Sequence, residues 1–222
     1  MKVSEYIKFI TSKVGCYYWF GTIGQKSSWS LFYDRKKAYP NQYKNVEDYR
    51  KQIENPKQCF DCAGLVKSPF VYPKYNGAYD LGATGIYGKC KVKGPLTSTT
   101  KLYDGLLVFK GNDKTKTHVG VYIAGKVYEA KGHKYGVIDD SFNRANWGYW
   151  AEYYPIDYTE SKTDNTGSND REQLYISLAK KCIQGYYGNG LTRKKRINGL
   201  GYGDIYTKVQ NYVNLILAGK VK

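Results

Sequence analysis

The sparsest reactive side chains in the sequence are two histidines and five cysteines, and their spacing limits the chemistry open to them. Cys59-Phe60-Asp61-Cys62 admits four readings. A CxxC pair can be half of a zinc site, but the available nitrogen ligands are His118 and His133, and Cys16, Cys90 and Cys182 are scattered singly. A thioredoxin-like redox pair belongs at the strand-to-helix junction of a βαβ unit, and no such pattern precedes this one. Two buried structural thiols form the third reading. In the fourth, Cys62 is a nucleophile. Asp61 can cap a helix that begins Cys62-Ala63-Gly64-Leu65-Val66, and a cysteine at a helix N-terminus feels the positive end of the helix dipole, which favours thiolate.

A thiolate nucleophile needs a base and a group that orients the base. His133 sits in the turn-like Lys131-Gly132-His133-Lys134-Tyr135-Gly136, where an exposed histidine is expected. His118 opens the alternating segment His118-Val119-Gly120-Val121-Tyr122-Ile123. Val119, Val121 and Ile123 mark the core side, so His118 points to the other face. If Ala124-Gly125 is a two-residue turn, residue 123 pairs with 126, 122 with 127, 121 with 128 and 120 with 129. Glu129 then shares the face of His118 on a diagonal, about 7–8 Å away at the backbone, within reach of a long side chain. Gly120, opposite Glu129, leaves room for that reach. The carboxylate there would hold the imidazole tautomer and stabilise the imidazolium.

The elements that must position these groups make an α+β arrangement, with helices early and a sheet later. Val3, Tyr6, Ile7, Ile10 and Val14 recur at helical spacing. Leu106 to Phe109 reads as a buried strand, followed by a hairpin of His118 to Ile123 and Lys126 to Ala130. The glycine- and tyrosine-rich stretch 70–105 reads as irregular. Residues 158–170, YTESKTDNTGSND, are polar and without an aliphatic side chain, as an interdomain linker should be. They divide the chain into domains 1–157 and 171–222. In the second, Leu174, Ile176, Leu178, Ala179 and Ile183 fit one helix, Thr192 to Ile197 a short second, and Ile205, Val209, Tyr212, Val213 and Leu217 a third. Together they make a small three-helix bundle.

Composition narrows the partner. The 222 residues carry 35 Lys and Arg against 19 Asp and Glu, a formal charge of +16, and 25 are tyrosine. Half of the excess lies in the last 52 residues. A surface this basic implies an anionic partner, either nucleic acid, lipid head groups or an anionic cell wall. No apolar run approaches the ~20 residues of a membrane span, and the N-terminal apolar runs are too short for a secretory segment. An odd cysteine count without an export segment argues against a disulfide framework.

Three segments in order resemble the NlpC-type cell-wall cysteine peptidases, a papain-like family. Asp61-Cys62-Ala63-Gly64-Leu65-Val66 resembles their Asp-Cys-Ser-Gly-Leu motif, and His118-Val119-Gly120-Val121-Tyr122 resembles their histidine strand. Gly15-Cys16-Tyr17-Tyr18-Trp19-Phe20-Gly21 resembles their upstream Gly-x-Pro-Tyr-x-Trp-Gly segment. The resemblance covers about residues 1–155. It implies a papain-like domain with N-terminal helices packed on an antiparallel sheet, Cys62 as nucleophile, His118 as general base and Tyr18 lining the site near the oxyanion. Asp61 joins these as a substrate contact. Ala63 stands where the family has serine, Tyr17 where it has proline, and Glu129 where it more often has histidine, asparagine or glutamine.

Residues from about 172 to 218 resemble the short cell-wall-binding repeat of certain phage lysozymes, through Gly185, Tyr187 to Gly190, Arg193, Gly201-Tyr202, Val209-Gln210 and Val213-Asn214. A guanidinium (Arg193), two amides (Gln210, Asn214) and an aromatic face (Tyr202) suit N-acetylated sugars and carboxylate-bearing peptide. Gly188 and Gly190 read as turn formers. These resemblances imply a peptidoglycan hydrolase of the endolysin kind, cleaving the stem peptide between γ-D-glutamate and the diamino acid. No metal or cofactor, no nucleic-acid partner and no membrane insertion are expected. The chain would be made in the cytoplasm and would reach the wall by a separate route such as a holin. Two alternatives are an N-acetylmuramoyl-L-alanine amidase on the same scaffold and a non-enzymatic nucleic-acid binder resting on Arg193-Lys194-Lys195-Arg196.

Overall fold

The computed structural model describes residues 1–159, 169–200 and 205–221. They fall into two compact units, Met1–Tyr158 and Thr159–Lys222.

The first unit is mixed α+β, with helices packed on an antiparallel sheet. Helix α1 (Val3–Thr11) buries Val3, Tyr6 and Ile10, the helical stripe visible in the sequence. The stripe stops there, because Val14 lies beyond the helix end and is 44% exposed. Strands β1 (Tyr17–Tyr18), β2 (Ile23–Lys26) and β3 (Gln58–Phe60) form a small sheet ordered β1-β3-β2, with β1 parallel to β3. Between β2 and β3 lie α2 (Trp29–Ala38) and α3 (Glu47–Glu54). They are held by an aromatic cluster in which Trp19 meets Phe32, Tyr43 and Tyr49 edge-on at 6.4, 6.1 and 5.0 Å. Such edge-to-face contacts add about 0.5–1.5 kcal/mol each beyond area burial, and several of the abundant tyrosines are thereby structural.

Helix α4 (Cys62–Val71) follows β3 directly, and α5 (Ala83–Lys89) comes next. The main sheet is ordered β4-β9-β5-β6-β7-β8, with β4 Lys93–Pro95, β5 Leu107–Gly111, β6 Lys116–Ile123, β7 Lys126–Gly132, β8 Gly136–Ser141 and β9 Tyr149–Ala151. The stretch 70–105 is therefore not wholly irregular. Two glycines in seven residues hide α5 from periodicity, and the helix is held instead by burying Ala83 and Ile86 in the core. The hairpin has the expected register, Val121↔Tyr128, Tyr122↔Val127 and Ile123↔Lys126. Its turn residues Ala124 and Gly125 take φ of 50° and 79°, the left-handed pair of a tight hairpin.

One face of this sheet carries the core. Leu107, Phe109, Val119, Val121 and Ala130 pack against Val3, Tyr6, Leu65, Val66 and Ile86 of the helices. The other face is also closed, by a smaller cluster of Val108, Val127 and Trp147.

In the second unit, α6 (Asn169–Ile183), α7 (Gly190–Asn198) and α8 (Tyr206–Leu217) share a core of Tyr175, Leu178, Ala179, Cys182, Ile197, Ile205, Val209 and Val213. The stripe on α6 is 175, 178, 179 and 182, a cleaner i, i+3, i+4, i+7 row than the one expected from the aliphatics alone. Ile183 is accordingly 42% exposed, and Leu217 is 69% exposed. Gly188 and Gly190 have φ of 70° and 53° and form the turn into α7. Among the described residues no helix is long and apolar enough to cross a membrane.

Candidate active site

The nucleophile candidate is placed by backbone geometry. β3 ends at Phe60, Asp61 caps α4, and Cys62 is the first helical residue. Asp61 Oδ1 accepts the Gly64 N–H at 2.5 Å, and Oδ2 accepts the Gly21 N–H at 2.9 Å. Its own N–H donates to the Thr22 carbonyl at 3.1 Å. The loop 19–22 is thus bound to the start of the helix, and burial pushes the Asp61 carboxyl up while these amide bonds oppose the rise. Gly64 makes the close approach possible, since a Cβ there would lie 1.9 Å from the Thr22 oxygen. Both oxygens of Asp61 accept backbone amides, so the residue fixes the loop against the start of the helix.

Tyr18 reaches the same place from β1, where it is in register with Phe60. Burial, and then the neighbouring Cys62 and Asp61, push its hydroxyl well above the ordinary range. Tyr18 is therefore a proton-bearing donor at any working pH.

His118 and Glu129 meet as the hairpin register requires. His118 Nε2 lies 2.5 Å from Glu129 Oε2, and the two side chains are only 17% and 4% exposed. Burial pushes the His118 pKa down, but hydrogen bonds to Cys62 and Glu129, with their charges, outweigh it and hold the value at about 9. Since Nε2 is engaged by Glu129, the nitrogen left for the Cys62 sulfur is Nδ1. The result is a cysteine, a histidine and a carboxylate in one neighbourhood, with Tyr18 near enough to feel the Cys62 charge. Such a set can transfer the thiol proton to imidazole and hold the imidazolium that results.

Two expectations change in detail. Gly120 does not leave an open space for Glu129, because a Cβ there would meet Val127 Cγ2 at 2.7 Å and Trp147 Cη2 at 3.1 Å. The glycine is required by what covers the strand. His133 is not a free turn residue. Its Nε2 hydrogen-bonds the Asp48 carbonyl at 3.0 Å and its ring lies 4.4 Å from that of Tyr49, tying the β7–β8 turn to α3.

Sequence reasoning missed Trp147, whose ring centre is 5.8 Å from that of His118. It follows the short 3₁₀ turn Arg144–Asn146, far along the chain, and carries no motif. It also missed Lys110, the register partner of His118 across β5 and β6, because the loop between those strands does not announce their pairing.

In the second unit Arg193 donates from Nε to the Gly188 carbonyl at 2.9 Å, from Nη1 to Gln210 Oε1 at 3.2 Å and from Nη2 to Asn189 Oδ1 at 2.9 Å. Gln210 Nε2 donates to Asn214 Oδ1 at 3.3 Å. Three of the four residues expected to bind ligand there therefore form one network. Tyr202 lies outside the described residues.

Residues 177–217 match the CW_7 repeat. Among solved structures, the NlpC/p60 domain of the peptidoglycan hydrolase SagA matches with 14% identity and a TM-score of 0.43, over 68% of this chain and 98% of that one. The peptidoglycan hydrolase RipB from Mycobacterium tuberculosis matches with 19% identity and a TM-score of 0.38, over 67% of this chain and 65% of that one. Comparison with curated proteins finds no match.

Proposed function

We propose that the chain is a peptidoglycan hydrolase, a papain-like cysteine endopeptidase in residues 1–157 joined through 158–170 to a wall-binding repeat in 171–222. The observation that carries the reading is the His118–Glu129 pair, Nε2 to Oε2 at 2.5 Å with the carboxylate buried, beside a cysteine at a helix N-terminus that helps hold the His118 pKa at about 9. The Cys62 proton passes to His118 Nδ1, and the thiolate adds to the scissile carbonyl carbon. Charge developing on the carbonyl oxygen is stabilised by the Cys62 N–H, in the first turn of α4 where amides have no intrahelical acceptor, and by the Tyr18 hydroxyl. The imidazolium returns its proton to the leaving amine as the C–N bond breaks, giving a thioester. Water, deprotonated by His118, attacks the thioester, and the proton goes back to sulfur as the acid product leaves.

The repeat and the basic charge favour an insoluble anionic substrate on which the enzyme is retained. Arg193, Tyr202, Gln210 and Asn214 are the residues of 171–222 assigned to that contact. The bond assigned is γ-D-glutamyl–diamino acid. Digestion of defined muropeptides with mass readout tests it: a new N-terminal diamino acid is the expected product. Free lactyl-linked glycan would instead make the enzyme an amidase, and no cleavage by the intact chain would overturn the proposal.

A further inference from the structure

Glu129 is a buried carboxylate hydrogen-bonded to His118, and two cations lie on strands of the same sheet, Lys131 on β7 and Lys110 on β5. Lys131, two residues along β7, is taken by Asp140 in an ion pair. Lys110 stands across His118 from β7. It is directly opposite His118 in the β5–β6 register, so the two side chains leave the sheet on one face with Cβ atoms about 4.5–5.5 Å apart.

Lys110 is held elsewhere. Its ammonium lies 4.8 Å from the centre of the Trp147 ring, and the same ring lies 5.8 Å from His118 at a tilt of 31°. Trp147 is 5% exposed. Its place over the sheet is set by the backbone, since the Gly148 N–H donates to the Phe109 carbonyl at 2.9 Å and the Trp147 N–H to Arg144 at 3.1 Å. Gly120 completes the arrangement by having no Cβ where the indole lies.

We infer that Trp147 is a positioning residue for the His118–Glu129 pair, holding the Lys110 ammonium on its ring and so reserving the Glu129 carboxylate for His118. The inference rests on the hydrolytic reading of Cys62, His118 and Glu129. An ammonium prefers a carboxylate to an aromatic face once both are within reach, because full charge outweighs the ring quadrupole in a poorly solvated site. Without the indole, Lys110 would bind Glu129, His118 would lose its orienting partner, and the imidazole would no longer face the thiol correctly.

The test is steady-state hydrolysis of peptidoglycan by Trp147→Phe, Trp147→Leu, Lys110→Met and the double variant Trp147→Leu with Lys110→Met. Phe keeps an aromatic face and should keep a rate near wild type, as should Lys110→Met. Leu keeps apolar bulk without the face and should lower kcat on the order of 10²-fold at little cost in KM, the size of effect that misplacing a catalytic group produces. Removing the competing cation in the double variant should restore at least about tenfold of that loss. Equal rates for Phe and Leu, or no recovery in the double variant, would overturn the inference. A Trp147→Leu chain that fails to fold would overturn it too, by making the indole a general support of the sheet. If Cys62→Ala hydrolyses like wild type, Cys62, His118 and Glu129 are not the hydrolytic set. If Cys62→Ala is inert while Trp147→Leu is unimpaired, only the role of Trp147 fails.

Discussion

Replacing Glu129 by Gln removes a charge from a buried pair while keeping the side chain's size and one acceptor oxygen. The magnitude follows from His118. Burial alone would lower its pKa, yet Cys62 and Glu129 together raise it from the ordinary 6.5 to about 9. At about 1.4 kcal/mol for each pH unit, that rise corresponds to roughly 3 kcal/mol in favour of the imidazolium. The two partners supply more than this, because burial opposes them. An even division gives Glu129 roughly 2 kcal/mol, which is about thirtyfold in the stability of the charged intermediate state. Turnover should therefore fall about 10- to 100-fold in clearing of a peptidoglycan suspension. The pH profile gives an independent reading. Activity should decline as pH passes about 9, where His118 loses the proton that the leaving amine requires, and Glu129→Gln should move this limb to lower pH. Stability carries the same sign. The folded pKa is above the unfolded one, so the pairing stabilises fully below about pH 6.5 and is lost as pH rises through about 9. The Tm difference between wild type and variant should be widest in mild acid and close in base. A Glu129→Gln enzyme with wild-type turnover and an unmoved alkaline limb would refute the assignment of Glu129.

Gly64→Ala puts a methyl 1.9 Å from the Thr22 carbonyl oxygen. Because that contact is backbone, it should lower stability by roughly 1–3 kcal/mol or more and displace Cys62, seen as a lower Tm with a lower rate. An unchanged Tm would mean that the loop 19–22 yields freely. Asp61→Ala removes the helix cap and the tie to Gly21, and should cost about 1–2 kcal/mol in denaturant melts and lower kcat with the thiol still titratable. Asp61→Asn, which keeps one acceptor, should fall between. Arg193→Ala removes three hydrogen bonds from the second unit. It should weaken sedimentation with purified walls while leaving hydrolysis of soluble muropeptides intact, and undiminished sedimentation would remove Arg193 from the wall contact.

The pair at the heart of the site was legible because a strand's alternation and a two-residue turn leave little freedom. Once Ala124-Gly125 is the turn, His118 and Glu129 must share a face, and they do. The Asp61 cap was readable for a similar local reason, since a short acidic side chain before a helix has a ready backbone partner three residues on. What escaped was set by distant contacts. Trp147 reaches His118 from a turn beyond β8, and nothing in its neighbourhood predicts which strand it will cover. Helix α5 has two glycines and is a helix only because Ala83 and Ile86 find the core. On α6, Tyr175 and Cys182 took core positions that counting aliphatics gave to Ile183. Local geometry was encoded locally, and coverage of the site was not.

The proposed hydrolysis depends on Cys62 forming the covalent bond to substrate. The most direct measurement is digestion of defined muropeptides by wild type and Cys62→Ala, read by mass spectrometry, alongside sedimentation of both with purified peptidoglycan. Cys62→Ala should sediment like wild type and release no fragment. Fragments released at the wild-type rate would contradict it.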